Sequence, residues 1–316
     1  MRFIAAAAVI ILLLGLEITE VSANDDVVRY RTVLFLLPQA RSFTTDPLAN
    51  YLSDFERVDG FPDRVNGPLL DSRVVPDLTA NFAVPDTAYL TLFGRGLTSK
   101  QVLAVQQAQE MLLIDVAYPP DDTTGYLKTV SNTAYQIASK YNALIWDSVT
   151  GEMFSRGQWM KQRLAGWHRD LPMVENHILI RTSVRDGEFR AVTVGMVKFG
   201  LPDLVVSGFK REQSPAMASL LNLGAQALLE GLPAKPGRLE LNIDELVESP
   251  FRARLKESLY KNANKRTVLQ FAEGEPQEGD PDNSLLEIGF NHLVGDSLHQ
   301  RQQAALVSLF GAPDNN

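Results

Sequence analysis

The chain has 316 residues, a formal net charge of −8 and no cysteine. The cysteine count excludes disulfides, thiolate nucleophiles and Cys-based metal sites together, so stability has to come from core burial, which a chain of this length supplies without covalent staples. The acidic balance argues against a nucleic-acid partner, which would want a basic face.

Met1-Arg2 is a short positive lead, Phe3 to Leu16 an apolar run, and Val21-Ser22-Ala23 a small-x-small cleavage pattern. The run is shorter than the roughly 20 residues that cross a bilayer as a helix. Residues 1–23 are therefore expected to be a signal peptide, cleaved after Ala23, and the mature chain a soluble periplasmic or secreted protein. The alternative is an uncleaved signal anchor holding the chain to the inner membrane. No later run is long and apolar enough to predict a span.

Val28 to Leu37 reads as a strand, continuous enough at Val33-Leu34-Phe35-Leu36-Leu37 to be buried on both faces. Asp46-Pro47 predicts a capped helix carrying Leu48, Tyr51, Leu52 and Phe55. Gly60 to Pro85, rich in proline, reads as a long irregular connection and Thr87 to Phe93 as a strand. Thr98 and Gln101 form a capping box, with Leu97 and Val102 as its staple, opening a helix to about Gln109. Met111 to Ala117 is a buried strand. A helix capped by Thr123 or Thr124 follows, with Leu127, Val130, Ala134, Ile137, Ala138 and Tyr141 on one face. Ala143 to Trp146 is strand-like, and Ser155 and Gln158 form a further capping pair with Phe154 and Trp159 as staple.

Ala165 to Asn176 breaks this alternation, which sets the expected organisation: a first α/β lobe over 24–166, a second α+β lobe over 170–311 and a frayed tail at 312–316. In the second lobe Asp186-Gly187 is a type I′ hairpin signal, because both central residues need positive φ. The stretch Ala191 to Phe209 reads as two inner strands joined by a Gly-Leu-Pro-Asp turn. Ser214-Pro215 opens a helix with Met217, Leu220, Leu221, Gly224 and Leu228 on its buried stripe, and Gly231 ends it. Arg238 to Ile243 is a strand and Pro250 to Tyr260 a helix. Thr267 to Ala272 and Leu285 to Phe290 are strands, and a last helix starts at Ser297. The predicted fold class is α+β or α/β, with mixed sheets, helices mainly on one face, and lobes of the split βαβ (ferredoxin-like) kind.

Chemistry-bearing patterns are sparse. His168, His177, His292 and His299 have no metal-ligand spacing, and there is no G-x-S-x-G elbow. Gly94-Arg95-Gly96 lacks the remaining residues of a phosphate loop. The acidic loop Glu273 to Asn283 does not match a calcium loop and reads as a solvated hairpin loop. No catalytic residue, metal or cofactor is assigned. The candidate binding residues are Lys198 and Asp203, which flank the Phe199-Gly200-Leu201-Pro202 turn, and Trp167, which could stack on a ligand. Lys198 and Asp203 carry two readings: a lysine snorkelling at a strand end beside an aspartate bonding turn amides, or a polar pair that fixes a ligand or partner.

The segments NALIWDSVTGEMFSR (142–156), GMVKFGLPDLVV (195–206) and EGDPDN (278–283), with the terminal LFG, resemble a family of uncharacterised exported bacterial proteins. Some of its members carry a further small C-terminal domain. The resemblance implies a bacterial, envelope-side protein with an α/β fold and brings no activity with it. Two functions follow as expectations. One is a non-catalytic periplasmic binding or protein-interaction module with a partner in the cell envelope. The other is an envelope-side hydrolase with a dispersed carboxylate or Ser/His site.

Overall fold

A computed structural model describes residues 27–38, 40–78, 84–291 and 293–312. The expected signal peptide, His292 and residues 313–316 of the tail lie outside the described residues. Among the described residues the architecture is mixed α+β, with three sheets and no barrel. The chain divides into two compact units. The first runs to Gly166 and also takes in Val197–Gly200; the second comprises Trp167–Met196 and the chain from Leu201 onward.

The first unit is built on a seven-stranded sheet in the order β2-β3-β5-β1-β6-β7-β4, in which the edge strand β4 is Gly94–Arg95. Its centre is β1 (Val28–Leu36), antiparallel to both β5 (Glu110–Tyr118) and β6 (Ala143–Asp147). β5 and β6 therefore run parallel with β1 between them. The helix α3 (Thr123–Tyr141) joins them, which is the split βαβ unit that the alternation predicts. Every residue of β5 after Glu110 is buried, as in a strand covered on both faces, and Asp115 within it is held by Arg31. One face packs Val33, Phe35, Met111, Leu113, Leu144 and Trp146 against the short helices α1 (Thr87–Phe93) and α2 (Ser99–Val105). The other face is covered by α3, whose Val130, Ala134 and Ile137 are fully buried.

Several local expectations are corrected here. Thr87 to Phe93 is a helix, not a strand, because Asp86 caps it by accepting the Tyr89 N–H at 2.7 Å. Gly60 to Pro85 is not a bare connection: β3 (Leu69–Pro76) pairs with β5 along its whole length, and β2 (Glu56–Arg57) adds to its other edge. The Asp46-Pro47 cap leads into turns rather than a helix. Asp46 does accept the Leu48 N–H, but Leu52 sits at φ 53, where a right-handed helix cannot continue. The cap of α3 is Asp122, whose carboxylate accepts the Gly125 N–H, and not Thr123 or Thr124. The Thr98/Gln101 capping box is present, but its helix ends at Val105.

The second unit holds a six-stranded mixed sheet, β10-β11-β12-β15-β14-β13. β10 (Leu179–Arg185) and β11 (Glu188–Val194) form the expected hairpin. Asp186 and Gly187 have φ of 53 and 82, the type I′ turn that Asp-Gly makes without strain. β12 (Asp203–Phe209) is antiparallel to β11 and parallel to β15 (Leu285–Gly289). A second crossover goes from β12 through α5 (Ser214–Leu229) to β13 (Gly237–Asn242), with β15 and β14 (Arg266–Glu273) in between. The helices α5 and α7 (Leu298–Phe310) share one face of this sheet. A Cβ at Gly224 would stand 2.9 Å from the Leu204 Cδ1, so glycine there allows α5 its close approach. The expected return strand through Met196 is corrected as well: β11 ends at Val194, Gly195 has φ 129, and Met196–Phe199 is a turn of 3-10 helix. β8 (Trp167–His168) and β9 (Leu171–Pro172) make a separate two-stranded ladder, and the short helix α6 spans Pro250–Glu257.

Candidate functional site

The densest polar constellation lies in the interior of the first unit. β6 ends on Asp147, and a Thr150-Gly151 turn returns the chain through β7 (Glu152–Phe154), so Asp147 and Glu152 face each other across the register. Ser155 then caps α4 (Arg156–Trp159), and the staple is present: the Phe154 and Trp159 rings meet edge to face at 5.3 Å. Met160–Leu164 continues as a π-helical turn, closed by the Ala165 N–H on the Met160 carbonyl. That wider turn carries Arg163 inward, where its guanidinium lies 4.5 Å over the Phe154 ring.

The charges then form a chain. Lys198 Nζ donates to Asp147 Oδ2 at 2.7 Å, and Arg163 donates to the same oxygen at 2.9 Å and to Glu152 Oε2 at 3.1 Å. Glu152 Oε1 accepts from Arg95 Nε at 2.6 Å. The other oxygen of Asp147 accepts the Val149 and Thr150 N–H groups. The side chains of Lys198 and Arg163 are each 2% exposed and that of Asp147 5%. Burial alone would raise the Asp147 pKa, but Lys198 and Arg163 outweigh it and hold the carboxyl well below the usual carboxylate range. Lys198 is pushed below the ordinary lysine value, first by its own desolvation and also by Arg163, against the opposing pull of Asp147. Beside this cluster Tyr30 and Tyr118 pack edge to face, and the Tyr118 hydroxyl donates to the Lys198 carbonyl at 2.9 Å. Burial pushes both phenols well above their ordinary value, helped at Tyr30 by Tyr118 and Asp147.

Of the residues predicted from sequence, Lys198 does not snorkel at a strand end. It is buried in the 3-10 turn and its ammonium is spent on Asp147. Asp203, at the start of β12, does bond the turn, and more. Its carboxylate accepts from Thr193 Oγ1 at 2.8 Å, Met196 N at 3.2 Å and Asn283 Nδ2 at 2.8 Å. Lys198 and Asp203 are thus each bonded within their own unit, Lys198 in the first and Asp203 in the second. Trp167 is half-buried in β8, with its ring edge-on to His177 at 5.6 Å. His168 sits beside it in β8, and His299 Nε2 lies 3.7 Å from a carboxylate oxygen of Glu188. Comparison with protein-family models, with curated proteins and with solved structures finds no match.

Sequence reasoning missed Asp147, Glu152 and Arg163, and met Arg95 only within an incomplete phosphate loop. The available signal was a carboxylate closing an apolar strand immediately before a Thr-Gly turn, a position that reads equally well as a solvated strand end. Chemically the cluster is a held lattice of opposite charges. Asp147 stays ionised and the two phenols stay neutral at neutral pH, so these groups do not trade protons there. Among the described residues, no three His, Asp or Glu side chains gather as a metal site would need, and no helix is long and apolar enough to cross a membrane.

Proposed function

We propose that the chain is a non-catalytic, exported binding module that takes a protein partner of the cell envelope by strand addition at β10. One observation carries this reading. β10 is the terminal strand of the six-stranded sheet, and residues 181–185 are exposed on both of its faces. A seven-residue strand with one open side offers a row of backbone donors and acceptors that an extended segment can pair with. The charged residues picked out from sequence, Lys198 and Asp203, are engaged inside the fold, so the hydrolase reading gains no support from them.

A photo-crosslinking side chain at Ser183 in the exported, full-length chain tests this. The expected result is one reproducible protein adduct that disappears when Thr182→Pro removes an edge donor. An adduct indifferent to Thr182→Pro would overturn the strand-addition reading. Export itself is checked at the N-terminus: a mature chain starting at Asn24 in the periplasmic fraction is expected, and a retained Met1 would favour the signal anchor.

A further inference from the structure

We infer that the segment β10 accepts is an extended acidic strand, with carboxylate side chains alternating with apolar ones; the inference rests on the strand-addition reading above. The hairpin register defines what an incoming strand would meet. Arg185 stands opposite Glu188 across a two-residue turn, so it forms the hydrogen-bonded pair that closes the hairpin. By antiparallel alternation Ser183 and Arg181 also exchange their backbone bonds with β11. The N–H and C=O groups of Ile180, Thr182 and Val184 then point away from β11, to the open side.

The side chains sort by the same period of two. Arg181, Ser183 and Arg185 line one face, and Ile180, Thr182 and Val184 the other. On the first face Arg190 is already neutralised by a two-pronged bond to Asp280, at 2.6 and 2.7 Å. Among the described residues, Arg181 donates only to the Gly279 carbonyl, at 3.4 Å. Arg185 is 86% exposed and lies 3.9 Å from Asp186, itself 94% exposed, a separation at which solvent screens most of the attraction. The edge thus presents two cations four residues apart, with Ser183 between them on the same face, whose charge is not consumed. On the second face Val184 is 58% exposed beside Phe189, which stands opposite it on β11.

A strand laid along this edge places alternate side chains next to the arginine row and the others next to Ile180 and Val184. Carboxylates suit the first set and β-branched or aromatic residues the second. The same charges work against a second copy of this chain, because two antiparallel β10 strands would bring the arginine rows together.

The test uses the full-length chain and three nine-residue peptides in which valine alternates with Glu, Gln or Lys. Hydrogen exchange is read over residues 179–185. The expected result is protection by the Glu peptide at a concentration about tenfold lower than the Lys peptide needs, from two favourable pairs replaced by two repulsions. The preference should shrink at high salt, invert in the Arg181→Glu, Arg185→Glu double variant, and vanish with all protection in Thr182→Pro. Equal protection by all three peptides, abolished by Thr182→Pro, would overturn the acidic partner and leave the edge reading standing. Protection that survives Thr182→Pro, or none by any peptide, would overturn both. Self-association of the wild-type chain in sedimentation, lost in Thr182→Pro, would assign the edge to a second copy and overturn the acidic partner as well.

Discussion

The interior of the first unit and the β10 hairpin of the second both carry arginine, and they use it in opposite ways. In the interior, Arg163 is 2% exposed and shared between Asp147 and Glu152. On the hairpin, Arg185 is 86% exposed, and its contact with Asp186, at 3.9 Å, is open to solvent. Taking a charge out of water costs several kcal/mol, so a buried guanidinium persists only where its partners are fixed in advance. An exposed one keeps its hydration and its choice of partner. Charge in this protein is therefore fixed by preset partners where it is buried and left hydrated where it is not.

That contrast is broken most severely at Asp147. Asp147→Ala leaves two buried cations with their shared anion gone, and is expected to cost about 3–5 kcal/mol in urea unfolding. Lys198→Ala spares the Arg163–Asp147 pair and should cost less, about 1–3 kcal/mol. The pH dependence sharpens the same point. The folded Asp147 carboxyl titrates below its unfolded value near 4, so the unfolded chain binds the proton first. Its stabilisation is present above about pH 4 and is lost as pH falls below that toward the depressed folded value. Asp147→Asn should therefore flatten the acid limb of a stability–pH curve.

In the second unit the fixed interior carboxylate is Asp203, bonded to Thr193, Met196 and Asn283. Asp203→Ala should lower stability by about 2–3 kcal/mol, measured as a thermal midpoint. Gly187→Ala puts a Cβ on a turn residue at φ 82 and should cost about 1 kcal/mol while leaving the first unit's cluster untouched. Arg185→Ala, at the open end of the comparison, should change stability by less than about 0.5 kcal/mol. A large loss at Arg185 would mean that the hairpin charge is structural after all.

Much of the local structure was legible from sequence because its causes are local. The Asp-Gly turn, the Thr98/Gln101 capping box, the helix start at Ser297 and the Phe154–Trp159 staple involve residues a few positions apart, and the structure contains all of them. The errors came where a short segment fits two periods or waits on a distant neighbour. Thr87 to Phe93 is apolar enough for a strand, and only the Asp86 cap and the packing of Leu90 make it a helix. β3 lies in a proline-rich stretch and exists because β5 offers it a partner.

The site was less legible for the same reason. Lys198 and Asp203 stood out as isolated charges in an apolar stretch, and that isolation was a sign of burial. Which carboxylate would meet Lys198 was not readable, since Asp147 lies 51 positions away. By itself the sequence determined the mixed α+β composition, the capped and turned segments, and the absence of any sulfur cross-link. Tertiary structure alone decided which charges are consumed and which stay open, because that depends on strand register and on the depth at which each side chain comes to rest.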